Sequence, residues 1–228
     1  NKKKKIICFV GKLNSAKGYD IFCEAILKIL NKYPEWKAVV AGDEPREIIN
    51  VKHKNLSNLG FQKHSKILDL FKKSSIAVAC SRWEEPFGRT SLEAASRGCA
   101  VIISNRGGLP ETITNGIILR KLNSLNLFNS IAKLIDNKKQ LVDLQTKSKN
   151  NFYLTDKYIS NKIDNYRRSI TKQNNQSINL SNVKKKLKIL HITNFNERHN
   201  GRLFYNTGKR LNNGFIRLGH SVLEFSDR

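Results

Sequence analysis

The stretch IAVACSRWEEPFGRTSLEAASRGCAVIIS, residues 76–104, contains two short apolar runs with a polar loop and a helical pattern between them. Both runs are rich in Val, Ile and Ala, as is typical of strands that are buried on both faces of a sheet. We predict strands at 76–81 and 99–104 with a helix between them. A strand, a helix and a strand in this order indicate a parallel pair.

The same alternation continues to both sides of this stretch. Further strands are predicted at 6–11, 37–42, 55–61 and 116–121, and helices at 18–33, 65–74, 125–137, 138–151 and 155–173. Strands separated by helices imply a parallel sheet that is covered on both faces, so the predicted fold class is α/β with a doubly wound parallel sheet. Ligands of such sheets bind outside the carboxyl ends of the strands, where we place the loops 11–18, 81–89 and 104–111.

The composition excludes several classes of protein. With 228 residues, 39% of them hydrophobic and 8% aromatic, the chain fits a globular protein rather than a disordered one. No apolar run approaches the ~20 residues of a membrane-spanning helix, and no signal-peptide pattern is present. We therefore expect a cytoplasmic protein, and contact with the cytoplasmic face of a membrane is compatible with this. Because the chain contains no Met, we expect it to be an excerpt from a longer polypeptide.

The net charge of +24 raises the question of a nucleic-acid partner. The excess of Lys and Arg is spread along the chain rather than gathered in one stripe, and no RNA- or DNA-binding signature accompanies it. We favour compositional drift with some attraction to anionic lipid or substrate over a dedicated nucleic-acid site. A basic module that binds nucleic acid or an anionic membrane is the alternative.

The cysteines and histidines give no sign of a metal site. Cys8, Cys23, Cys80 and Cys99 are widely spaced and form no C-x-x-C motif. We expect them to be small buried hydrophobic residues in a reducing compartment. The histidines are scattered without the spacing of metal ligands, so no metal ligand is predicted.

The loop VGKLNSAKG, residues 10–18, follows the first predicted strand. It has neither the order of a phosphate-binding P-loop nor that of a dinucleotide site. Its two lysines, Lys12 and Lys17, leave a buried strand at the carboxyl end, where two ammonium groups would suit a diphosphate. The alternative is that a lysine-rich chain places lysines in most of its loops.

The loop and helix after residue 81 contain two candidate carboxylates. The free N–H groups of Gly88, Arg89 and Thr90 at the predicted helix start would suit an anion such as a pyrophosphate. Residues 90–93 fit a capping box, in which Glu93 would return a hydrogen bond to the helix start, so a structural role for Glu93 is as well supported as a binding role. Glu85 is not placed for capping, because it precedes a proline in the loop.

Three motifs, FVGKLNSAKG at 9–18, EEPFGRTSLEAASRGCAVIIS at 84–104 and GGLPETITNG at 107–116, together resemble the nucleotide-sugar-binding half of GT-B glycosyltransferases. The closest likeness is to the large retaining family of group 1 glycosyl transferases, often called GT4, with its E-x7-E motif. The resemblance spans residues 6 to about 170. It implies metal-independent transfer of a sugar, with retained configuration, from a nucleotide sugar to a glycan or lipid-linked acceptor.

The resemblance also implies roles for individual residues. Glu85 would contact hydroxyls of the transferred sugar, and Glu93 would hold the ribose hydroxyls, because a carboxylate accepts two hydrogen bonds from a vicinal diol. Lys17 and Lys12 would neutralise the diphosphate; the family usually has Arg where Lys12 stands, so the charge is kept and the fork geometry is lost. Further donor-binding positions implied by the resemblance are Phe87, Gly88, Arg89, Thr90, Gly11, Gly60 and Phe61. No cofactor and no metal are implied beyond the donor itself, for which a UDP- or GDP-sugar is favoured.

The last part of the chain resembles the start of the other GT-B half, the acceptor domain. We predict a donor domain at 1–173, a polar linker at 174–186 and, at 187–228, the opening βαβ-like unit of a second N-terminal domain, as in a tandem protein. Its predicted elements are a strand at 187–195, a helix at 203–218 and a strand at 219–226. We expect the chain alone to bind a nucleotide sugar weakly and to transfer little. A non-catalytic nucleotide-binding module of the same fold is the remaining alternative.

Overall fold

The computed structural model describes residues 3–173, 186–193 and 207–226. The chain forms two compact units, Asn1–Ile163 and Asp164–Arg228. The predicted linker lies almost wholly outside the described residues, so the predicted domain boundaries stay predictions. Among the described residues, no helix has the length and apolar character needed to cross a membrane.

The first unit is a six-stranded parallel sheet with helices on both faces. Its strands are β1 (Lys4–Val10), β2 (Lys37–Ala41), β3 (Leu56–Asn58), β4 (Ser74–Ala79), β5 (Ala100–Ser104) and β6 (Ile117–Leu119). Its helices are α1 (Tyr19–Lys32), α2 (His64–Lys73), α3 (Arg89–Ser96), α4 (Ser124–Asp136) and α5 (Lys138–Asn150), and α6 (Asp156–Gln173) begins in it. The strand order β3-β2-β1-β4-β5-β6, with every pair parallel, confirms the predicted doubly wound α/β fold.

The alternation of side chains along the strands divides the core into two layers. In β1, Ile7 and Phe9 point to the layer that contains α1 and α4, whereas Cys8 points to the layer that contains α2 and α3. The same division holds in β5, where Ile102 belongs to the first layer and Ile103 to the second. Because both layers are apolar, the strands read as continuous hydrophobic runs in the sequence.

Helix α1 shows how the local sequence sets an element in place. Its apolar residues recur at the helical period and are buried, while its first residue follows Gly18, which has a left-handed φ of 72°. A Cβ at this position would overlap the backbone carbonyl oxygen of Cys80, just after β4. Only glycine therefore allows the start of α1 to lie this close to the end of β4.

The predicted helices of the first unit agree with the structure to within one residue at each end, but four strands differ by two residues or more, among them β1, which begins two residues earlier than predicted. The predicted strand 55–61 is reduced to β3, because Gly60 adopts a left-handed φ of 62° and its N–H donates to the Asn58 side chain, so the extended conformation ends there. Strand β6 is likewise shorter than predicted. Strand β4 begins and ends two residues earlier than predicted, since its first residues, Ser74 and Ser75, are buried serines rather than apolar residues.

In the second unit, the described residues form β7 (Lys188–Thr193), α7 (Thr207–Arg217) and β8 (Ser221–Ser226). The two strands pair in parallel, from Lys188 opposite Ser221 to Thr193 opposite Ser226. The predicted order of strand, helix and strand is confirmed for these residues, whereas 194–195 and 203–206 lie outside them. Assignment of this unit to a second acceptor domain stays a prediction.

Candidate functional site

The candidate functional site lies where the strand order reverses. From β1 the chain continues to one side of the sheet and from β4 to the other, so a crevice opens outside the carboxyl ends of these two neighbouring strands. A pocket of about 330 Å³ occupies the crevice. It is lined by Phe9, Val10, Gly11, Lys17, Ala79, Ser81, Glu85, Pro86, Phe87, Gly88, Arg89, Thr90 and Leu109. Most of the predicted site residues are therefore brought together by the fold.

Lys17 and Glu85 form an ion pair within this pocket. The Lys17 side chain is 31% exposed and that of Glu85 is 13% exposed, so the pair is partly shielded from solvent. A tight turn over Ser15–Lys17 positions the lysine, because the Asn14 side chain accepts a hydrogen bond of 3.0 Å from the Lys17 N–H. The pocket thus holds one cation and one carboxylate in direct contact.

The N-terminus of α3 forms the second wall of the pocket. The helix begins at Arg89 after Gly88, which has a left-handed φ of 96°, and no side chain caps its first N–H groups. A Cβ on Gly88 would lie 2.6 Å from Leu109 Cδ2, so glycine permits close contact between this turn and the loop after β5. Free N–H groups and the positive end of the helix dipole make this wall favourable for an anion.

Glu93 has a different environment from the one a capping box would give it. The helix starts at Arg89, so Glu93 is its fifth residue, and the capping-box interpretation is wrong. Its carboxylate, 20% exposed, lies 3.0 Å from His64 Nε2 and accepts a hydrogen bond of 3.3 Å from Arg89. The carboxylate is therefore oriented by two basic side chains, outside the wall of the 330 Å³ pocket.

The remaining predicted residues lie around neighbouring pockets. Lys12 and Phe61 line a pocket of about 280 Å³, which shares the lining residues Val10 and Gly11 with the first pocket at the end of β1. Phe61 is 77% exposed, a large apolar side chain available to a ligand. Gly60 lines a third pocket nearby.

An ion pair that sequence reasoning missed joins the first two loops of the site. Arg82 donates two hydrogen bonds of 2.6 Å to Asp20 in the first turn of α1, and a further one to the carbonyl of Ser15. These hydrogen bonds from Arg82 hold the pKa of the Asp20 carboxyl below its usual value. The arrangement fixes the loop that carries Glu85 against the loop that carries Lys17. No sequence motif predicts this ion pair, because Arg82 and Asp20 are far apart in the sequence.

Substitution of Asp20 by Asn is expected to give a pH-dependent loss of stability. The folded-state pKa of Asp20 is lowered, so its contribution is present above the unfolded-state pKa of about 4 and is lost as the pH falls through the folded-state value. Because the pair is partly solvent-exposed, we expect a difference of at most about 1 kcal/mol near pH 7. Urea unfolding of parent and variant from about pH 7 to about pH 3 should show the difference shrinking below about pH 4. A constant difference across this range would contradict the assignment.

A second clamp joins the loops after β4 and β5. Glu84 pairs with Arg106 at 2.9 Å and accepts a hydrogen bond from the Gly107 N–H. The hydrogen bonds from Arg106, followed by that from Gly107, lower the pKa of the Glu84 carboxyl. Gly108 N–H donates to the Glu85 carbonyl at 2.7 Å, so the glycines of the GGLPET motif lie directly against the backbone of Glu85. Glu84, the residue before the candidate catalytic Glu85, therefore has a structural role.

The chemistry of the assembled site follows from these groups. The Lys17 ammonium group and the N-terminus of α3 can bind a diphosphate. The carboxylates of Glu85, inside the pocket, and Glu93, outside it, can accept hydrogen bonds from sugar hydroxyls. Within the part of the chain that the structure describes, no group of three or more His, Cys, Asp or Glu side chains is arranged to hold a metal ion.

Solved structures share this fold. The C-terminal domain of the group 1 glycosyl transferase LpcC from Francisella tularensis superposes with a TM-score of 0.57 at 26% identity, over 64% of this chain and 84% of that one. HepE from Anabaena, crystallised with UDP and glucose, superposes with a TM-score of 0.59 at 22% identity, over 73% of this chain and 49% of that one. At 22% identity, the likeness to HepE shows only that the two proteins share a fold.

Sequence comparison identifies the family. Spore coat protein SA of Bacillus subtilis is 37% identical over 128 residues, which are 50% of this chain and 33% of that protein. The chain thus spans about a third of the length of this relative. The family Glycosyl transferases group 1 matches residues 1–151. Since this match covers most of the chain and the six-stranded sheet agrees with it, the chain belongs to the group 1 glycosyl transferases, with a GT-B type of domain.

Proposed function

We propose that this chain supplies the nucleotide-sugar-binding half of a retaining glycosyltransferase. The bond between the anomeric carbon and a diphosphate oxygen breaks, a bond to a hydroxyl oxygen of a glycan or lipid-linked acceptor forms, and the hydroxyl proton passes to the departing diphosphate or to solvent. The observation that carries the proposal is the contact between Lys17 and Glu85 in the pocket beside the start of α3. A group for the diphosphate and a group for sugar hydroxyls are adjacent there, as a sugar diphosphate requires.

The proposed role of the cations is to stabilise the leaving group. Negative charge grows on the diphosphate as the glycosidic bond breaks, and fixed positive groups in a partly shielded pocket stabilise this charge most. Lys17 and the N–H groups at the start of α3 are closest to it, and Lys12 lies in the adjoining pocket. Transfer without a divalent metal or a cofactor is part of the proposal, because these groups supply the positive charge.

The proposed roles of the carboxylates follow from their positions. Glu85, in the pocket, accepts hydrogen bonds from the transferred sugar, and Glu93, held by His64 and Arg89, accepts them from the ribose. Phe61, with its exposed ring, and Gly60 face the base. Because HepE, which shares the fold, was crystallised with UDP and glucose, a UDP-sugar is the first donor to test and a GDP-sugar the second.

Calorimetric titration of the chain with UDP, GDP and ADP tests the donor site. We expect one of them to bind, and Glu93→Ala to weaken binding by at least about tenfold, because a lost hydrogen bond to a charged group is worth ~1.5–3 kcal/mol. Glu35→Ala is the matched control, since Glu35 carries the same charge in an exposed pair with Lys5 away from the pocket. Binding should also persist in the presence of a metal chelator.

Two results would contradict the proposal. If none of the three nucleotides binds to the folded chain, the donor site is absent from it. If Glu93→Ala and Glu35→Ala weaken binding equally, the interaction is a general effect of charge on a basic protein rather than recognition of ribose.

A further inference from the structure

A second cavity lies at the amino ends of the strands, on the opposite side of the sheet from the carboxyl ends that form the donor site. It has a volume of about 620 Å³, within the range of small-molecule sites. Lys3 precedes β1, Lys72 lies in the last turn of α2 before β4, and Arg97 follows α3 before β5, so the cavity is at the amino ends of the central strands. Its remaining wall is the second half of α5. None of these groups takes part in the proposed transfer.

The wall of this cavity is strongly basic. Lys3, Lys72, Arg97 and Lys149 line it, and none of the described residues in its wall is acidic. Lys72 pairs with Asp69 at 3.3 Å, but both side chains are more than half exposed, so the pair screens little. The other three have no ion pair with a described carboxylate. Four positive charges around one cavity repel one another unless an anion lies between them.

Two of the cations differ in what they can still bind. Lys3 Nζ donates hydrogen bonds of 2.7 Å to the carbonyls of Phe71 and Arg97, so it fixes the wall and contributes charge. Its pKa is lowered, first by burial and in smaller part by the charge of Lys149. The Arg97 side chain, by contrast, makes no hydrogen bond with the described residues, and its Nε is fully buried without a partner. Because the Nε is closed off from solvent, an anion in the cavity would reach the terminal N–H groups of the guanidinium rather than the Nε.

We propose that this cavity is a binding site for an anion that carries phosphate groups, with Arg97 and Lys149 as direct donors and Lys3 and Lys72 as supporting charges. A guanidinium group matches phosphate oxygens with paired hydrogen bonds. The volume admits more than one phosphate. Among the described residues that line the cavity none is aromatic, so they offer no stacking surface of the kind that single-stranded nucleic acid requires. The phosphates can belong to a soluble diphosphate or to a lipid headgroup.

The test uses the complete chain and two probes. Inorganic pyrophosphate is titrated by calorimetry, and vesicles of phosphatidylcholine with or without phosphatidylglycerol are used in co-sedimentation. Arg97→Gln and Lys149→Gln remove the two direct donors, and Lys149 is an exposed residue whose replacement leaves the core intact. Lys28→Gln, on the exposed face of α1, is the control with the same change of charge. Lys17→Gln removes any pyrophosphate binding that belongs to the donor pocket, so the two sites are scored separately.

We expect Arg97→Gln and Lys149→Gln each to weaken binding of one probe by at least about tenfold, the worth of a charge-assisted hydrogen bond. Lys28→Gln should leave that binding unchanged, whereas Lys17→Gln should remove only the part of the pyrophosphate binding that belongs to the donor pocket. If the two variants bind pyrophosphate more weakly, the ligand is a soluble phosphate compound. If they bind only the phosphatidylglycerol vesicles more weakly, the ligand is a lipid headgroup. The proposal is overturned if neither probe binds, if both pocket variants bind like the parent, or if Lys28→Gln weakens binding as much as they do.

Discussion

Replacement of Gly18 by Ala is expected to lower the free energy of unfolding by about 2–5 kcal/mol. Two costs add: an L-residue in the left-handed conformation loses ~1–2 kcal/mol, and forcing an extra carbon into packed structure loses ~1–3 kcal/mol. The added Cβ would overlap the carbonyl oxygen of Cys80, a backbone atom at the end of a buried strand that has little room to move. Urea unfolding followed by tryptophan fluorescence measures the loss, because Trp36 is buried in the same core.

Gly60→Ala is the matched control for this prediction. Gly60 has a similar positive φ, of 62° against 72°, but a Cβ there would meet open space. It should therefore show only the conformational cost of ~1–2 kcal/mol. Equal losses in the two variants would show that α1 can move away from the end of β4, against the close packing described above.

The second large effect, on ligand binding, is expected at the Lys17–Glu85 pair. Replacement of Lys17 and replacement of Glu85 should affect the binding of different ligands. Lys17→Gln removes the cation that faces the diphosphate, so we expect binding of the nucleotide diphosphate to weaken by about 10–100-fold. Glu85→Gln removes the partner of Lys17 and leaves the ammonium free to face the phosphates. We therefore expect the nucleotide diphosphate to bind this variant at least as tightly as the parent, while the corresponding nucleotide sugar loses about tenfold relative to it.

Calorimetry with the nucleotide alone and with its sugar conjugate separates these outcomes. Lys28→Gln, far from the pocket, controls for the change of net charge. Unchanged nucleotide affinity in Lys17→Gln would remove Lys17 from the diphosphate site. Equal weakening of nucleotide and nucleotide sugar in Glu85→Gln would show that Glu85 maintains the pocket rather than contacting the sugar.

The fold was largely predictable because its signals are local. Apolar runs mark the strands, and the helical period of residues such as Ile21, Phe22 and Ile26 marks α1 to within one residue. Strand ends were less predictable, because they depend on pairing with a neighbour. Strand β3 ends where Gly60 turns, and a glycine in an apolar run does not by itself say whether the strand continues.

The candidate site was predictable only in part. The loops that carry Lys17 and Glu85 could be placed at one edge of the sheet, but their direct contact depends on clamps between distant residues. Arg82 binds Asp20, and Glu84 binds Arg106, through hydrogen bonds that no local pattern encodes. At Glu93 a local pattern allowed a helix cap as one of two interpretations, and this interpretation was wrong because the helix begins at a different residue.

The central place of β1 in the sheet has a consequence for how the chain folds. Strand β1 pairs on one side with residues 37–41 and on the other with residues 74–79. During synthesis it gains its first neighbour early, but the second only after β4 has left the ribosome. In that interval an apolar strand edge is exposed and can pair with other chains. Closing this long-range contact also slows folding, so the nascent chain is most exposed to association with other chains before β4 docks.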